Sequence, residues 1–179
     1  MKVKLKTYFP IIFLTLVALI SVSLLVGIDS ITADKIAEQE AQKVQDMLTE
    51  MFADMSDYDL DDETEIYTIN FADDIIGYAF LATGKGYGGD ISILVGLEDK
   101  TTIKGITIIT QNETPGLGTR ITDSDFTDLF ASVAIADVGL TSDGGGIDAL
   151  TGATISSRAV VDAVKAEALN KVALINGGE

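Results

Sequence analysis

The sequence predicts an α+β protein: one N-terminal transmembrane helix, then a single domain whose mostly antiparallel sheet is flanked by helices. Three observations predict it. An apolar run of about 21 residues opens the chain behind a basic start, long enough to cross a hydrocarbon core as a helix. Segments with strand alternation follow one another between residues 65 and 111, separated by short turns. Helical periodicity brackets them on both sides. At 179 residues the chain has room for an anchor and one soluble core, and it shows no internal repeat.

The apolar run extends from Tyr8 to Ile28. Pro10 lies near its start, where a missing backbone donor is tolerated. Lys2, Lys4 and Lys6 precede the run and Asp29 and Asp34 follow it, so the positive-inside rule keeps the N-terminus in the cytoplasm. The rest of the chain is then extracytoplasmic. A cleavable signal peptide has a similar basic start and apolar centre, but its apolar part is usually only about 7–15 residues long. Ser23-Leu24-Leu25-Val26-Gly27 lacks a small-x-small cleavage site, and no cysteine is present for a lipid anchor. An uncleaved single-pass anchor in the membrane lipid is therefore expected over residues 1–29, and the domain faces outward under either reading.

A connecting region is expected over residues 30–64. Ile36, Val44, Met47, Leu48, Met51, Phe52 and Met55 recur mostly at spacings of three and four, giving one apolar helix face. Ser30, Thr32 or Asp34 is placed to cap its start. The run from Asp54 to Glu65 reads as a solvated acidic loop. Asp57, Asp59 and Asp61 have the spacing of early calcium-loop ligands, but Asp62 replaces the required glycine and Thr68 the bidentate glutamate.

The domain proper is expected over residues 65–179. Glu65–Phe71 alternates as a first strand, a turn at Asp73-Asp74 leads to a second at Tyr78–Thr83, and Asp90–Glu98 alternates strictly as a third. Glu98-Asp99-Lys100-Thr101 turns the chain into a fourth, Ile103–Gln111. Two glycine-rich loops interrupt this sheet, at residues 84–89 and 114–118. Thr122–Ala131 reads as a short capped helix burying Phe126, Leu129 and Phe130. A looser stretch leads to a last helix, Ser156 to Leu174, with Val160, Val161, Val164, Ala168 and Val172 inward.

Composition narrows the chemistry. The formal net charge is −16. A polyanion repels nucleic acid, whose binding depends on Lys and Arg neutralising phosphates. Cysteine and histidine are both absent. Their absence removes disulfides, thiolate and imidazole metal ligands, thiol nucleophiles and the usual general base near neutral pH. Redox or catalytic chemistry must then come from carboxylates, hydroxyls, backbone amides or a borrowed cofactor, and no protein metal site is expected.

The informative segment is Asp148-Ala149-Leu150-Thr151-Gly152-Ala153-Thr154, directly before the last helix. Free amides and the dipole at a helix start favour an anion, and Gly152 and Ala153 let a phosphate approach the backbone. The alternative is that Thr154 or Ser156 simply caps the helix.

Asp-x-x-Thr-Gly-Ala-Thr resembles the flavinylation motif of the FMN-binding domain family. Its members include the G subunit of the Rnf ion-translocating ferredoxin:NAD oxidoreductase and the C subunit of the sodium-translocating NADH:quinone oxidoreductase. The resemblance implies FMN joined covalently to Thr154 by a phosphoester, with Thr151, Gly152 and Ala153 around the attachment. It also implies that an extracytoplasmic flavin transferase makes the bond from FAD and magnesium, with Asp148 positioning the magnesium or the threonine hydroxyl. Gly86-Tyr87-Gly88-Gly89 resembles the family's first glycine loop. Asn112-Glu113-Thr114-Pro115-Gly116-Leu117-Gly118 resembles its second signature, with Asn112 where histidine is common. Asn112-Glu113-Thr114 also spells a glycosylation sequon, though Pro115 follows it. By the resemblance both loops line the flavin: Leu117 and Tyr87 beside the ring, Gly88 in the first loop, and Glu113, Thr114, Gly116 and Gly118 as polar contacts. Lys85 and Arg120 either neutralise the phosphate or the reduced flavin, or remain solvated surface charges.

The function implied is an electron-carrying flavoprotein that exchanges electrons with neighbouring membrane subunits, a redox subunit of a translocase rather than an enzyme alone. The compact chain favours the G subunit of an Rnf complex over the C-type subunit of the quinone reductase. A stand-alone extracytoplasmic flavin reductase and a flavin-free binding domain are the other readings.

Overall fold

A computed structural model describes residues 5–72 and 74–177, with the side chains of residues 5–7, 25–38, 40 and 41 left aside. Lys2, Lys4 and the side chain of Lys6 therefore lie outside the described residues. So do Asp73 of the expected turn and the side chains of Ile36, Ser30, Thr32 and Asp34. The chain divides into two compact units, one ending at Gln45 and the other beginning at Asp46.

Helix α1 covers Leu5–Met51. Its backbone runs through residues 30–34, so no new helix begins there. The stretch that follows, Ala33 to Lys43, is dominated by Ala, Lys, Glu and Gln, strong helix formers that hold the potential capping residues inside the helix. Pro10 also lies inside α1 rather than at its start. The large apolar side chains between Tyr8 and Leu24 are exposed, Leu14 by 71%. Among the described residues no helix is long and apolar enough to cross a membrane, and the described side chains of the apolar run are those of residues 8–24.

The second unit is built on a six-stranded sheet in sequential order. Its strands are β1 (Asp57–Asp61), β2 (Ile66–Phe71), β3 (Asp74–Lys85), β4 (Asp90–Leu97), β5 (Thr102–Thr110) and β6 (Val133–Ala134). Every neighbouring pair is antiparallel. The middle of the acidic run expected as a loop, Asp57–Asp61, forms edge strand β1, paired with β2 from Asp57↔Asn70 to Asp61↔Ile66, while residues 62–65 turn as expected. Its aspartates are exposed, while Tyr58 leans on Tyr67 with ring centroids 5.8 Å apart. An edge strand can keep its charges in water and still satisfy its backbone on one side. Strand β3 begins at Asp74, inside the expected turn and four residues before the expected strand start at Tyr78.

The expected alternation in β4 holds, with Ile91, Ile93, Val95 and Leu97 fully buried on one face. They pack with Phe80, Val160, Val161 and Val164, the last three from α3 (Thr154–Gly177). On the other face Leu48 and Phe52 are buried, and the Phe52 ring lies close over Gly77 and Gly96. The expected helix at Thr122–Ala131 is shorter: α2 covers Ser124–Thr127 between two 3₁₀ turns, and no side chain caps it. Phe126 and Phe130 are nevertheless fully buried, rings 5.6 Å apart and edge to face, and Leu129 is half-buried. Helix α3 starts at Thr154, two residues before the expected start.

Candidate functional site

Three segments distant in sequence meet at one end of the sheet. The loop after β3 turns back through a hydrogen bond from Gly86 N to Gly89 O at 2.8 Å. The loop after β5 folds into a turn in which Thr119 Oγ1 accepts from Gly116 N at 2.9 Å. The third segment is the start of α3. Between them lies a cavity of about 510 Å³ lined by Tyr87, Glu113, Thr114, Leu117, Gly118, Gly152, Ala153, Thr154, Ile155 and Ser156. That volume falls within the roughly 300–1,000 Å³ of small-molecule sites.

Ser157 N donates to Ala153 O at 2.9 Å, the first bond of α3, which makes Ala153 the cap residue. Thr154 therefore sits at the first helical position and Ser156 inside the first turn, so neither is the cap. The amides of Thr154, Ile155 and Ser156 precede that first bond and are the ones a helix start leaves for an anion. Gly152 makes the preceding turn at φ +82°, a conformation that strains residues with a Cβ. Ser157 ties this turn to the helix: its Oγ donates to Ala153 O and accepts from Leu150 N, both at 3.0 Å.

Glu113 joins the three segments. It is 5% exposed. Its Oε1 accepts from Gly88 N at 2.8 Å, and its Oε2 accepts from Tyr87 N at 3.2 Å and from Ser156 Oγ at 2.5 Å. Burial pushes the carboxyl up, but the bonds from Ser156, Gly88 and Tyr87 together hold it below the ordinary glutamate value. Gly118 allows this packing, because a Cβ there would lie 2.7 Å from Glu113 Cβ and 2.8 Å from Ser156 Oγ.

Of the residues singled out in the sequence, Tyr87, Glu113, Thr114, Leu117, Gly118, Gly152, Ala153 and Thr154 line the cavity. Gly88 serves it indirectly as a donor to Glu113, and Gly116 shapes the loop. Thr151 is exposed outside the lining, and Asp148 accepts a hydrogen bond from Thr141 Oγ1 at 2.9 Å. Ile155 and Ser156 were not foreseen. Their signal lay in the helix start itself, whose first turn must border anything placed at Thr154.

A second cavity of about 420 Å³ shares Thr154 and Ile155 and adds Lys85, Arg158 and Asp162. Lys85 stands 3.9 Å from Asp90. Arg158 is hydrogen-bonded to Asp143, whose carboxyl it holds below the usual range while its own guanidinium is raised. Arg120 is exposed and borders neither cavity.

The residues fit a flavin phosphate and ring. A helix start bears the Thr154 hydroxyl, Gly152 leaves the approach open, and Tyr87, Leu117 and Ile155 are exposed by 73%, 48% and 57% around the cavity. The fold and site define an FMN-binding domain, and the model of that domain family matches residues 86–169. The model of the RnfG N-terminal region matches residues 12–51. The chain is 35% identical over 136 residues to the G subunit of the ion-translocating oxidoreductase complex of Methanosarcina acetivorans, covering 72% of each chain. It is 31% identical to the G subunit of the proton-translocating ferredoxin:NAD(+) oxidoreductase complex of Clostridium ljungdahlii, covering 93% of this chain and 91% of that one. The corresponding G subunit of Pasteurella multocida is 33% identical with 97% of each chain covered. The chain belongs to the RnfG family. Its fold is similar to the crystal structure of the C subunit of the Na(+)-translocating NADH-quinone reductase from Parabacteroides distasonis, with a TM-score of 0.51 and 24% identity over 60% of this chain and 61% of that one.

Proposed function

We propose that this chain is the G-type electron-transfer subunit of a membrane ion-translocating ferredoxin:NAD oxidoreductase complex, and that it carries FMN on Thr154. The observation that carries the reading is the placement of Thr154. The terminal threonine of the motif begins α3 in the wall of a cavity that both glycine loops also line. Bound there, FMN supplies reversible electron transfer. The protein's residues hold and orient it. The amides of Thr154, Ile155 and Ser156 and the dipole of α3 would hold the phosphate, while Lys85 and Arg158 in the neighbouring cavity each stand beside an aspartate, Asp90 and Asp143. Tyr87, Leu117 and Ile155, exposed at the cavity, would give the ring apolar neighbours.

In attachment, Thr154 Oγ bonds to the FMN phosphorus of FAD, the pyrophosphate bond breaks, AMP leaves and the hydroxyl proton passes to a base of the transferase. Asp148 stands six residues before Thr154 and serves this step rather than the finished site. The exposed apolar side chains of Tyr8–Leu24 belong in lipid, with the domain extracytoplasmic and other membrane subunits as its electron partners.

Intact mass of the chain co-expressed with a flavin transferase tests the reading, followed by peptide mapping. The expected result is a gain of one FMN less water on the Thr154 peptide, lost in Thr154→Ala while that variant keeps the wild-type circular dichroism. An unmodified mass beside a control substrate that is modified overturns it.

A further inference from the structure

The cavity wall holds a charge that has already been taken out of water. Glu113 is 5% exposed, and its three donors, Tyr87 N, Gly88 N and Ser156 Oγ, are all uncharged. Uncharged donors stabilise a carboxylate without cancelling its net charge. The described residues lining the cavity include no lysine or arginine. A net negative charge therefore faces the cavity, in surroundings where charges interact far more strongly than in water.

We propose that Glu113 sets the reduction potential of the flavin, holding it low. The inference rests on the reading that the flavin attached at Thr154 places its ring in this cavity. Reduction takes two electrons from a reduced donor subunit, which is oxidised by the same two, and one proton from water. The ring then bears one negative charge. A fixed anion in the wall raises the free energy of that product and leaves the uncharged oxidised ring nearly unaffected, so it favours the oxidised form. Ser156 modulates the effect, because its hydroxyl draws part of the carboxylate's charge toward itself.

The test is a spectroelectrochemical titration of the full-length, flavin-loaded protein at neutral pH, comparing wild type with Glu113→Gln and Ser156→Ala. Glu113→Gln removes the charge and is expected to shift the midpoint potential upward. Ser156→Ala keeps the charge and removes one donor, so its potential is expected to shift downward. A merely loosened site would move both variants in the same direction, and that result overturns the proposal. So does a Glu113→Gln potential at or below wild type. If Glu113→Gln fails to fold or to take up flavin, Ser156→Ala decides alone: a downward shift supports the proposal, and an unchanged or raised potential overturns it. Peptide mapping of the wild-type sample separates the two ideas. Flavin absent from the Thr154 peptide removes the underlying reading, whereas flavin present with potentials that fail to separate removes only the role of Glu113.

Discussion

Ser156 Oγ donates to Oε2 of Glu113 across 2.5 Å, although 43 positions separate the two residues in the chain. The bond fastens the first turn of α3 to the loop after β5. Through its other contacts, the same carboxylate holds the loop after β3 by two backbone amides. One buried side chain therefore fixes the relative positions of all three segments that surround Thr154.

Ser156→Ala should accordingly destabilise the domain by about 2 kcal/mol, the usual worth of a hydrogen bond to a charged, buried partner. Urea unfolding followed by circular dichroism measures it. A midpoint equal to wild type would mean that Glu113 finds another donor without cost.

The pH dependence of stability follows from the same carboxyl. Its folded-state pKa is depressed, so its contribution is fully present above the ordinary glutamate value. It is lost as the pH falls through that value and on through the lower folded-state one. Glu113→Gln cannot titrate here. The stability difference between wild type and Glu113→Gln should therefore shrink steadily as the pH is lowered through this window. Parallel curves would show that the carboxyl's ionisation is not coupled to folding.

The periodic parts of this fold were legible in the sequence, and the reasons for the misreadings are physical. Strand β4 was plain because Ile91, Ile93, Val95 and Leu97 meet a single buried face. Strand β1 was hidden because Asp-Tyr-Asp-Leu-Asp has poor strand propensity. Its formation is decided by pairing with β2, which lies beyond local pattern. The helix start at Thr154 was misplaced by two residues, since the cap is Ala153, a residue type that rarely caps. Eight of the twelve residues singled out for the site do line one cavity. The Glu113–Ser156 bond was out of reach, because a contact over 43 positions depends on how β3, β5 and α3 are stacked.

Gly118→Ala should lower stability by about 1–3 kcal/mol through overpacking. The added methyl would lie 2.7 Å from Glu113 Cβ and 2.8 Å from Ser156 Oγ, so the bond between those two side chains must shift. Covalent flavin uptake should fall with it, because the displaced carboxylate releases Tyr87 and Gly88. Thermal unfolding and the fraction of modified chain by intact mass check the two halves. A stable variant with full uptake would contradict the tight packing seen around Gly118.

Deleting residues 1–45 separates the proposed anchor from the domain. The compact unit beginning at Asp46 keeps Leu48 and Phe52, which are 0% and 1% exposed. It also keeps every strand and all the residues that line the cavity. What it loses is the exposed apolar stretch from Tyr8 to Leu24. The shortened chain should stay in the supernatant after ultracentrifugation, unfold cooperatively and accept flavin from the transferase, while the full chain sediments with membranes. Cutting instead at Asp54 removes Leu48 and Phe52 and uncovers Gly77 and Gly96 on the far sheet face. Burying two large apolar side chains contributes roughly 1.5–3 kcal/mol each, so the shorter fragment should unfold at markedly lower temperature. Equal stability of the two fragments would show that the last turn of α1 adds nothing to the domain. Sedimentation of the fragment that begins at Asp46 would place a membrane-binding surface on the domain itself.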